Sequence, residues 1–498
     1  MLGASLEGLI AVLNPSTFGI MTLGVMIGLI FGALPGLGGT ILLAILIPFI
    51  YPMSPEMTFA FLMGSHAAVT FGGSISAILF NVPGTSQNIA TVFDGYPMTQ
   101  KGQAARALGI SATASLIGGI FGVLVLTVLI PFLRPIIMYF GPAELFALTI
   151  FGLAIIALLG EGSVLKGVAA GGLGLLLSFV GSDPVTGVTR FHLGQIWLMD
   201  GIDFVAAVIG MFAIAQVIEL YVSGDSIVKG GGVSSDRSTA WDGVLDVIRR
   251  PGITLRSSAL GTLIGAIPGV GGTVANILAY GQAMQTSRNR DEFGKGAVEG
   301  IIGPEAANNA KEGGTLLPTL AFGIPGGEAT AILLGAFIIK GINTGTAMMT
   351  EHLNIVFVLI WSIAIANVIA SAVGLWGALQ MVRLTFLPGG IISPFVLAIS
   401  VVGAFAAEER FTSVWIALAF GVLGYYMKKY DFARAPLVIG MVLGIVTERY
   451  LQISLRTYGG DFLIERPLSL ILLIVAILAV AYPYLSMARK PQVRSEGA

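Results

Sequence analysis

The stretch Gly32-Ala33-Leu34-Pro35-Gly36-Leu37-Gly38-Gly39-Thr40 occurs twice in this chain, returning as Gly265-Ala266-Ile267-Pro268-Gly269-Val270-Gly271-Gly272-Thr273. Each copy interrupts a long apolar segment with Pro and Gly, which break a helix and free its backbone N–H and C=O groups. Within a bilayer such a break is tolerated only where surrounding protein or a water-filled cavity satisfies the backbone. The pair therefore predicts the centre of a membrane protein made of two related halves. Gly-rich breaks also serve close helix packing and kinks, so the weight lies on the match between the copies.

Composition sets the class around those breaks. Of 498 residues, 55% are hydrophobic and 11% charged, against about 25% charged in soluble domains. The fold expected is an all-α polytopic membrane protein embedded in a lipid bilayer. At ~20 apolar residues per span, the apolar segments suggest roughly 11–14 transmembrane helices and half-helices. The absence of Cys excludes disulfides, thiolate metal sites and cysteine nucleophiles. A formal net charge of -1 gives no basis for nucleic-acid binding. Neither copy of the motif has the spacing of a phosphate-binding or dinucleotide-binding loop, and no cofactor is expected.

The echo extends beyond nine residues. Gly64-Ser65-His66-Ala67-Ala68 is matched by Gly303-Pro304-Glu305-Ala306-Ala307, and Gly72-Gly73-Ser74 by Gly313-Gly314-Thr315. A second break, Phe80-Asn81-Val82-Pro83-Gly84, is matched by Phe322-Gly323-Ile324-Pro325-Gly326. The second copy holds an insertion, placed at Gln282 to Lys295. The division read from this pattern is a first membrane repeat at 1–222, a polar linker at 223–256, a second repeat at 257–460, and a last helix with tail at 461–498. Asp94 to Arg106 reads as a loop and 330–343 as a span. The linker carries Lys229, Arg237, Arg249, Arg250 and Arg256, the tail Arg489, Lys490 and Arg494, and residues 1–100 contain no Lys or Arg. By the positive-inside tendency the linker and tail are cytoplasmic and the start is not. That arrangement makes the repeats inverted, and a miscounted half-span would make them parallel.

Broken helices at corresponding positions of two halves point to a transporter's midplane site. A half-helix starting inside the membrane aims free N–H groups and the positive end of its dipole at whatever sits there, which suits an anion. The substrate-binding candidates are Pro35, Gly36, Gly38, Gly39 and Thr40, with Asn81, Pro83, Gly84, Thr85 and Ser86, in the first half. In the second they are Pro268, Gly269, Gly271, Gly272 and Thr273, with Gly323, Pro325, Gly326 and Gly327. Separately, Glu305, Asn308, Asn309 and Glu312 share one helical face and could hold a coupling sodium ion together with Gly313 and Thr315; an acidic face at the membrane edge is also simply solvated. His66, where the second half has Glu305, could titrate in a proton-coupled cycle or be a hydrogen-bonded packing residue.

The two Gly-Ala-Leu/Ile-Pro-Gly-x-Gly-Gly-Thr copies, the run from Gly303 to Ala310 and Phe322-Gly323-Ile324-Pro325-Gly326-Gly327 resemble the large membrane subunit of tripartite tricarboxylate transporters. The likeness covers nearly the whole chain. It implies a bacterial inner-membrane, secondary active uptake system for organic tri- or dicarboxylates, driven by a Na+ or H+ gradient. It also implies two partners, a small membrane subunit and a periplasmic substrate-binding protein. An intramembrane lipid or glycan transferase and a passive anion channel are the competing readings. An enzyme should gather acid/base or metal-binding groups, which three His, no Cys and few intramembrane acids make sparse.

Overall fold

The structure, a computed structural model, describes residues 1–159, 163–183, 185–223, 239–385 and 389–488. Lys229, Arg237 and the tail cations from Arg489 onward lie outside the described residues. The chain forms two compact units, each made of two separate segments of the sequence: Met1–Met138 with Ile202–Tyr430, and Tyr139–Gly201 with Asp431–Ala498. Among the described residues seven helices are long and apolar enough to cross a membrane, and shorter apolar helices stand beside them. The chain is an all-α, multi-pass membrane protein.

The larger unit contains the motifs. Ten of its helices position them: α1 (Pro15–Ala33), α2 (Gly39–Leu46), α3 (Pro55–Phe80), α4 (Ile89–Gln100), α5 (Ala104–Met138), α6 (Pro251–Gly265), α7 (Gly271–Thr286), α8 (Val298–Phe322), α9 (Glu328–Ile339) and α10 (Leu353–Thr385). The order of α1 to α5 is repeated by α6 to α10. Asp94 falls within α4 rather than in a loop, and only a short turn separates α4 from α5. At 12 residues, α9 rises ~18 Å and cannot span a hydrocarbon core of ~30 Å. The segment read as a span is a half-helix, because Gly341 and Gly345, both at positive φ, end it with a turn. The inserted residues of the second half lengthen α7 and the turn after it.

Helices α3 and α8 are the centre of this unit. From Thr58 to Phe80 every residue of α3 is buried, and α8 is buried almost without interruption from Gly300 to Ala321. Neither sequence shows a single apolar stripe with a solvated opposite face: both are rich in apolar and small residues, and the polar groups of α8, Glu305, Asn308, Asn309, Lys311 and Glu312, are buried with them. Helix α1 packs along α3 and α6 along α8, while α5 crosses onto α8 and α10 onto α3. Each long helix is thus clasped by a helix of its own half and one of the other.

The first glycine of each motif copy serves this packing. A Cβ at Gly32 would lie 2.3 Å from the Val69 carbonyl oxygen, and one at Gly265 2.4 Å from the Lys311 carbonyl oxygen. Both obstacles are helix backbone, which cannot step aside. Gly32→Val and Gly265→Val are therefore expected to lose about 1–3 kcal/mol or more through overpacking. The check is the melting temperature and yield of monodisperse protein in detergent; wild-type values for both variants would contradict the packing role.

The smaller unit holds helices Pro142–Leu159, Val164–Ser178, Arg434–Tyr458 and Pro467–Ala488, with a two-stranded antiparallel turn pairing Gly181 with Arg190. Arg190 bridges Asp183 at 3.3 Å and Glu448 at 2.5 Å, and Arg466 holds Glu144 at 2.7 Å. Backbone N–H groups of Thr186 and Val185 keep the Asp183 carboxyl well below the usual carboxylate range.

Candidate functional site

The two breaks of each half are tied together by the same bond. In the first half the chain leaves α1 through Pro35, turns at Gly36 with φ +85°, and re-enters a helix at Gly39. Helix α3 stops where Asn81 adopts the left-handed conformation at φ 60°. The Gly36 N–H then donates to the Gly84 carbonyl at 3.3 Å, and the Gly84 N–H to the Gly73 carbonyl at 3.1 Å. In the second half Gly269 turns at φ +80° and Gly323 ends α8 at φ +70°. The Gly269 N–H donates to the Gly326 carbonyl at 3.1 Å, and the Gly326 N–H to Thr319 Oγ1 at 3.2 Å. Only glycine adopts such φ values at little cost, which fixes the middle glycine of each motif.

The halves also interlock at the breaks. Helix α2 packs against α9, and α7 packs against the turn at Ser86–Asn88 and against α4. Thr40 Oγ1 donates to Glu328 Oε2 at 3.0 Å, and Asn308 Nδ2 donates to the Gln87 carbonyl at 3.1 Å. All four breaks therefore meet in one region. Its outer residues are accessible: Gly36, Ser86 and Glu328 are exposed, and Gly38, Gly39, Thr40 and Gly269 to Gly271 are half-buried.

Beneath them lies a buried charged group. Glu312 accepts from His66 Nε2 at 2.8 Å through Oε2 and from Lys311 Nζ at 2.5 Å through Oε1. His66, Lys311 and Glu312 are 4%, 4% and 2% exposed. Each cation-capable partner lies against the last glycine of one motif copy. A Cβ at Gly39 would stand 3.0 Å from His66 Nδ1, and one at Gly272 would stand 2.3 Å from Lys311 Cε and 2.7 Å from Gln87 Cδ. The N-terminal ends of α2 and α7, where free N–H groups carry positive partial charge, thus face His66 and Lys311 respectively. Glu312 joins the two.

Other candidates have different surroundings. Glu305 is fully buried and accepts from Ser74 Oγ, Thr91 Oγ1, Ser111 Oγ and Ser115 Oγ at 2.5–3.1 Å. Asn309 donates to Asn367 Oδ1 at 2.6 Å, and the side-chain oxygens of Asn308 and Asn309 are buried without a partner. The face from Glu305 to Glu312 is therefore not a solvated acidic stripe: it packs inside the helix cluster, because α3, α4, α5 and α10 surround α8. Thr315 donates to the Glu312 carbonyl at 3.0 Å. Gly313 sits at the crossing with α5, where a Cβ would meet Gly122 backbone at 2.2 Å. Thr85 Oγ1 donates to Asn88 Oδ1 at 2.6 Å and the Gly327 N–H to Thr330 Oγ1 at 2.9 Å. Pro35, Gly84, Pro325 and Gly326 are buried in the turns, Pro83, Pro268 and Thr273 are half-buried, and Asn81 is exposed.

Sequence reasoning missed Lys311 and Glu328, and it matched His66 with Glu305 although His66 meets Glu312. The signal for Lys311 was present: an ionisable residue inside a membrane helix is costly and marks function by default.

Comparison with known proteins gives the same direction. The sequence profile described as "Tripartite tricarboxylate transporter TctA family" matches residues 18–439. The chain is 33% identical over 481 residues, 95% of its length and 93% of the relative's, to "Uncharacterized 52.8 kDa protein in TAR-I ttuC' 3'region" of Agrobacterium vitis. It is 30% identical over 243 residues, 47% of its length and 96% of the relative's, to "Uncharacterized protein in TAR-II ttuC' 3'region" of the same organism. No solved structure matches the chain. With the profile spanning both motif copies and the buried charged group, the chain belongs to the tripartite tricarboxylate transporter TctA family.

Proposed function

We propose that this protein is the large membrane subunit of a binding-protein-dependent secondary transporter, and that it takes up an organic tri- or dicarboxylate through the joined breaks by alternating access. The observation carrying this reading is the placement of His66 and Lys311 against the starts of α2 and α7. Two positive helix ends, each beside a side chain able to carry positive charge, suit a ligand with more than one carboxylate. Glu312 engages both side chains, and a substrate carboxylate competes with it for Lys311. The exposed outer parts of the breaks admit the ligand, and the hydrogen bonds Gly36–Gly84 and Gly269–Gly326 keep each pair of breaks moving as one body.

The energy source in this reading is a gradient of protons or sodium ions across a bacterial inner membrane. A small membrane subunit completes the membrane complex, and a periplasmic binding protein delivers the ligand. The repeats 1–222 and 257–460 are inverted, with the linker 223–256 and the tail after the last helix on the cytoplasmic side. The test is uptake of labelled citrate, tartrate and related carboxylates into proteoliposomes containing both membrane subunits, with the binding protein outside and an imposed proton or sodium gradient. Gradient-dependent accumulation of at least one carboxylate is expected. Equal uptake with and without either gradient, or none across the panel, would end the proposal.

A further inference from the structure

We infer that Gln216 contacts the substrate at the first break and selects ligands that carry a hydroxyl on the carbon next to a carboxylate. The inference rests on the transporter reading above and adds the uncharged part of the ligand, which the two helix starts leave unread. Gln216 lies on the membrane-spanning helix Phe204–Val222, outside both motif copies. It is the only polar side chain from Phe204 to Ile218. The residue is 5% exposed, and its carboxamide has no hydrogen-bond partner among the described residues. An amide without partners inside a membrane span is costly, so the partner it suits is one that arrives with the ligand.

The fold aims this side chain at the first motif. Residues Ile209–Ile214 form a π turn that packs against α2. A π turn holds one residue more than an α turn, which rotates everything after it by about 100°. Gln216 follows almost directly, and its Nε2 stands 3.6 Å from where a Cβ at Gly36 would be; no other described atom beyond the chain neighbours lies within 4 Å of that point. Gly36 itself is exposed. The space over the turn of the first motif is therefore open, with the Gln216 carboxamide on its wall. Three residues farther along the same stretch, α2 begins at Gly39.

The chemistry of the carboxamide names the ligand group. Its nitrogen donates and its oxygen accepts, whereas an ionised carboxylate accepts only. A plain carboxylate therefore meets the nitrogen and leaves the amide oxygen buried without a donor. A hydroxyl on the adjacent carbon supplies that donor, so an α-hydroxycarboxylate presents a donor and an acceptor side by side, complementary to the amide. The N–H groups at the start of α2 take the charge of the same carboxylate. A site built to hydrogen-bond a hydroxyl rejects the analogue that lacks it, because its own polar group is then left unpaired.

The experiment is competition binding to the purified membrane complex, with labelled malate or labelled citrate as tracer. The competitors are pairs that differ by the hydroxyl, malate against succinate and citrate against tricarballylate, with fluorosuccinate as the analogue whose substituent cannot donate. The wild type should bind the hydroxylated member of a pair about ten- to a hundredfold more tightly, and fluorosuccinate no better than succinate. Gln216→Met, similar in shape and apolar, should bind malate as weakly as succinate while its succinate affinity stays at the wild-type value. It should melt no lower than the wild type, since removing an unpaired buried polar group is neutral or stabilising. Equal wild-type affinities within each pair, fluorosuccinate matching malate, or a hydroxyl preference unchanged in Gln216→Met would overturn the inference while leaving the transporter reading in place. So would a Gln216→Met protein that loses succinate together with malate, or that fails to fold, because the amide would then serve the structure. Absence of wild-type binding for every carboxylate would instead strike the transporter reading itself.

Discussion

Lys311→Met is expected to abolish carboxylate uptake, with binding weakened on the order of a hundredfold. Truncating one partner of a buried, hydrogen-bonded charge pair typically costs about 2–5 kcal/mol in binding, and each ~1.4 kcal/mol is tenfold. The single variant also leaves Glu312 buried with only His66 beside it, which lowers the yield of folded protein. The double variant Lys311→Met, Glu312→Gln restores charge balance. It should recover the melting temperature and monodispersity of the wild type, yet still fail in uptake, because the start of α7 has lost its cation. Wild-type uptake by the folded double variant would remove Lys311 from the site.

The second large effect is expected at the other end of the same contact. Gly272→Val places its Cβ where Lys311 Cε and Gln87 Cδ now stand, at 2.3 Å and 2.7 Å. Both are side-chain atoms, so they can be pushed aside without moving a helix. The variant should therefore keep a folded, monodisperse protein and lose uptake by roughly two orders of magnitude, in line with a displaced buried charge. This separates it from Gly265→Val, seven residues earlier, whose obstacle is the Lys311 carbonyl and whose expected failure is in folding. Equal melting temperatures for the two variants would contradict that division of labour within one motif.

The division explains how much was legible in advance. The repeated Pro and Gly announced the breaks, because no helix continues through those residues and few other sequences can turn at φ near +80°. Packing and binding were offered as alternatives for the glycines, and the chain uses its glycines for separate jobs: Gly32 and Gly265 let helices approach, while Gly36 and Gly269 turn the chain. The spacing Glu305, Asn308, Asn309 and Glu312 falls within the single helix α8. What that face met was not legible, since Ser111 and Ser115 arrive from α5 and Asn367 from α10, and local spacing carries no record of such neighbours.

Two residues illustrate the remaining gap. Aligning the two motif-bearing stretches equated His66 with Glu305, but residues matched in a sequence alignment need not touch, and His66 instead finds Glu312 two turns farther along α8. Lys311 sits next to Glu312 in sequence, off the face used to read the helix, and only the burial of both shows that they form one group. The family assignment makes the protein a component of a tricarboxylate transporter; in the function proposed here, the grouping of Lys311, Glu312 and His66 under the two glycine motifs is the place for the anion.

That place is tested most directly by a map of the complete membrane complex prepared with a transported carboxylate. The account predicts density for a small anion within hydrogen-bond distance of Lys311 Nζ and of the backbone at Gly39 or Gly272, with Lys311 drawn away from Glu312. Anion density elsewhere in the protein, with the pair between Lys311 and Glu312 intact and the starts of α2 and α7 empty, would contradict it.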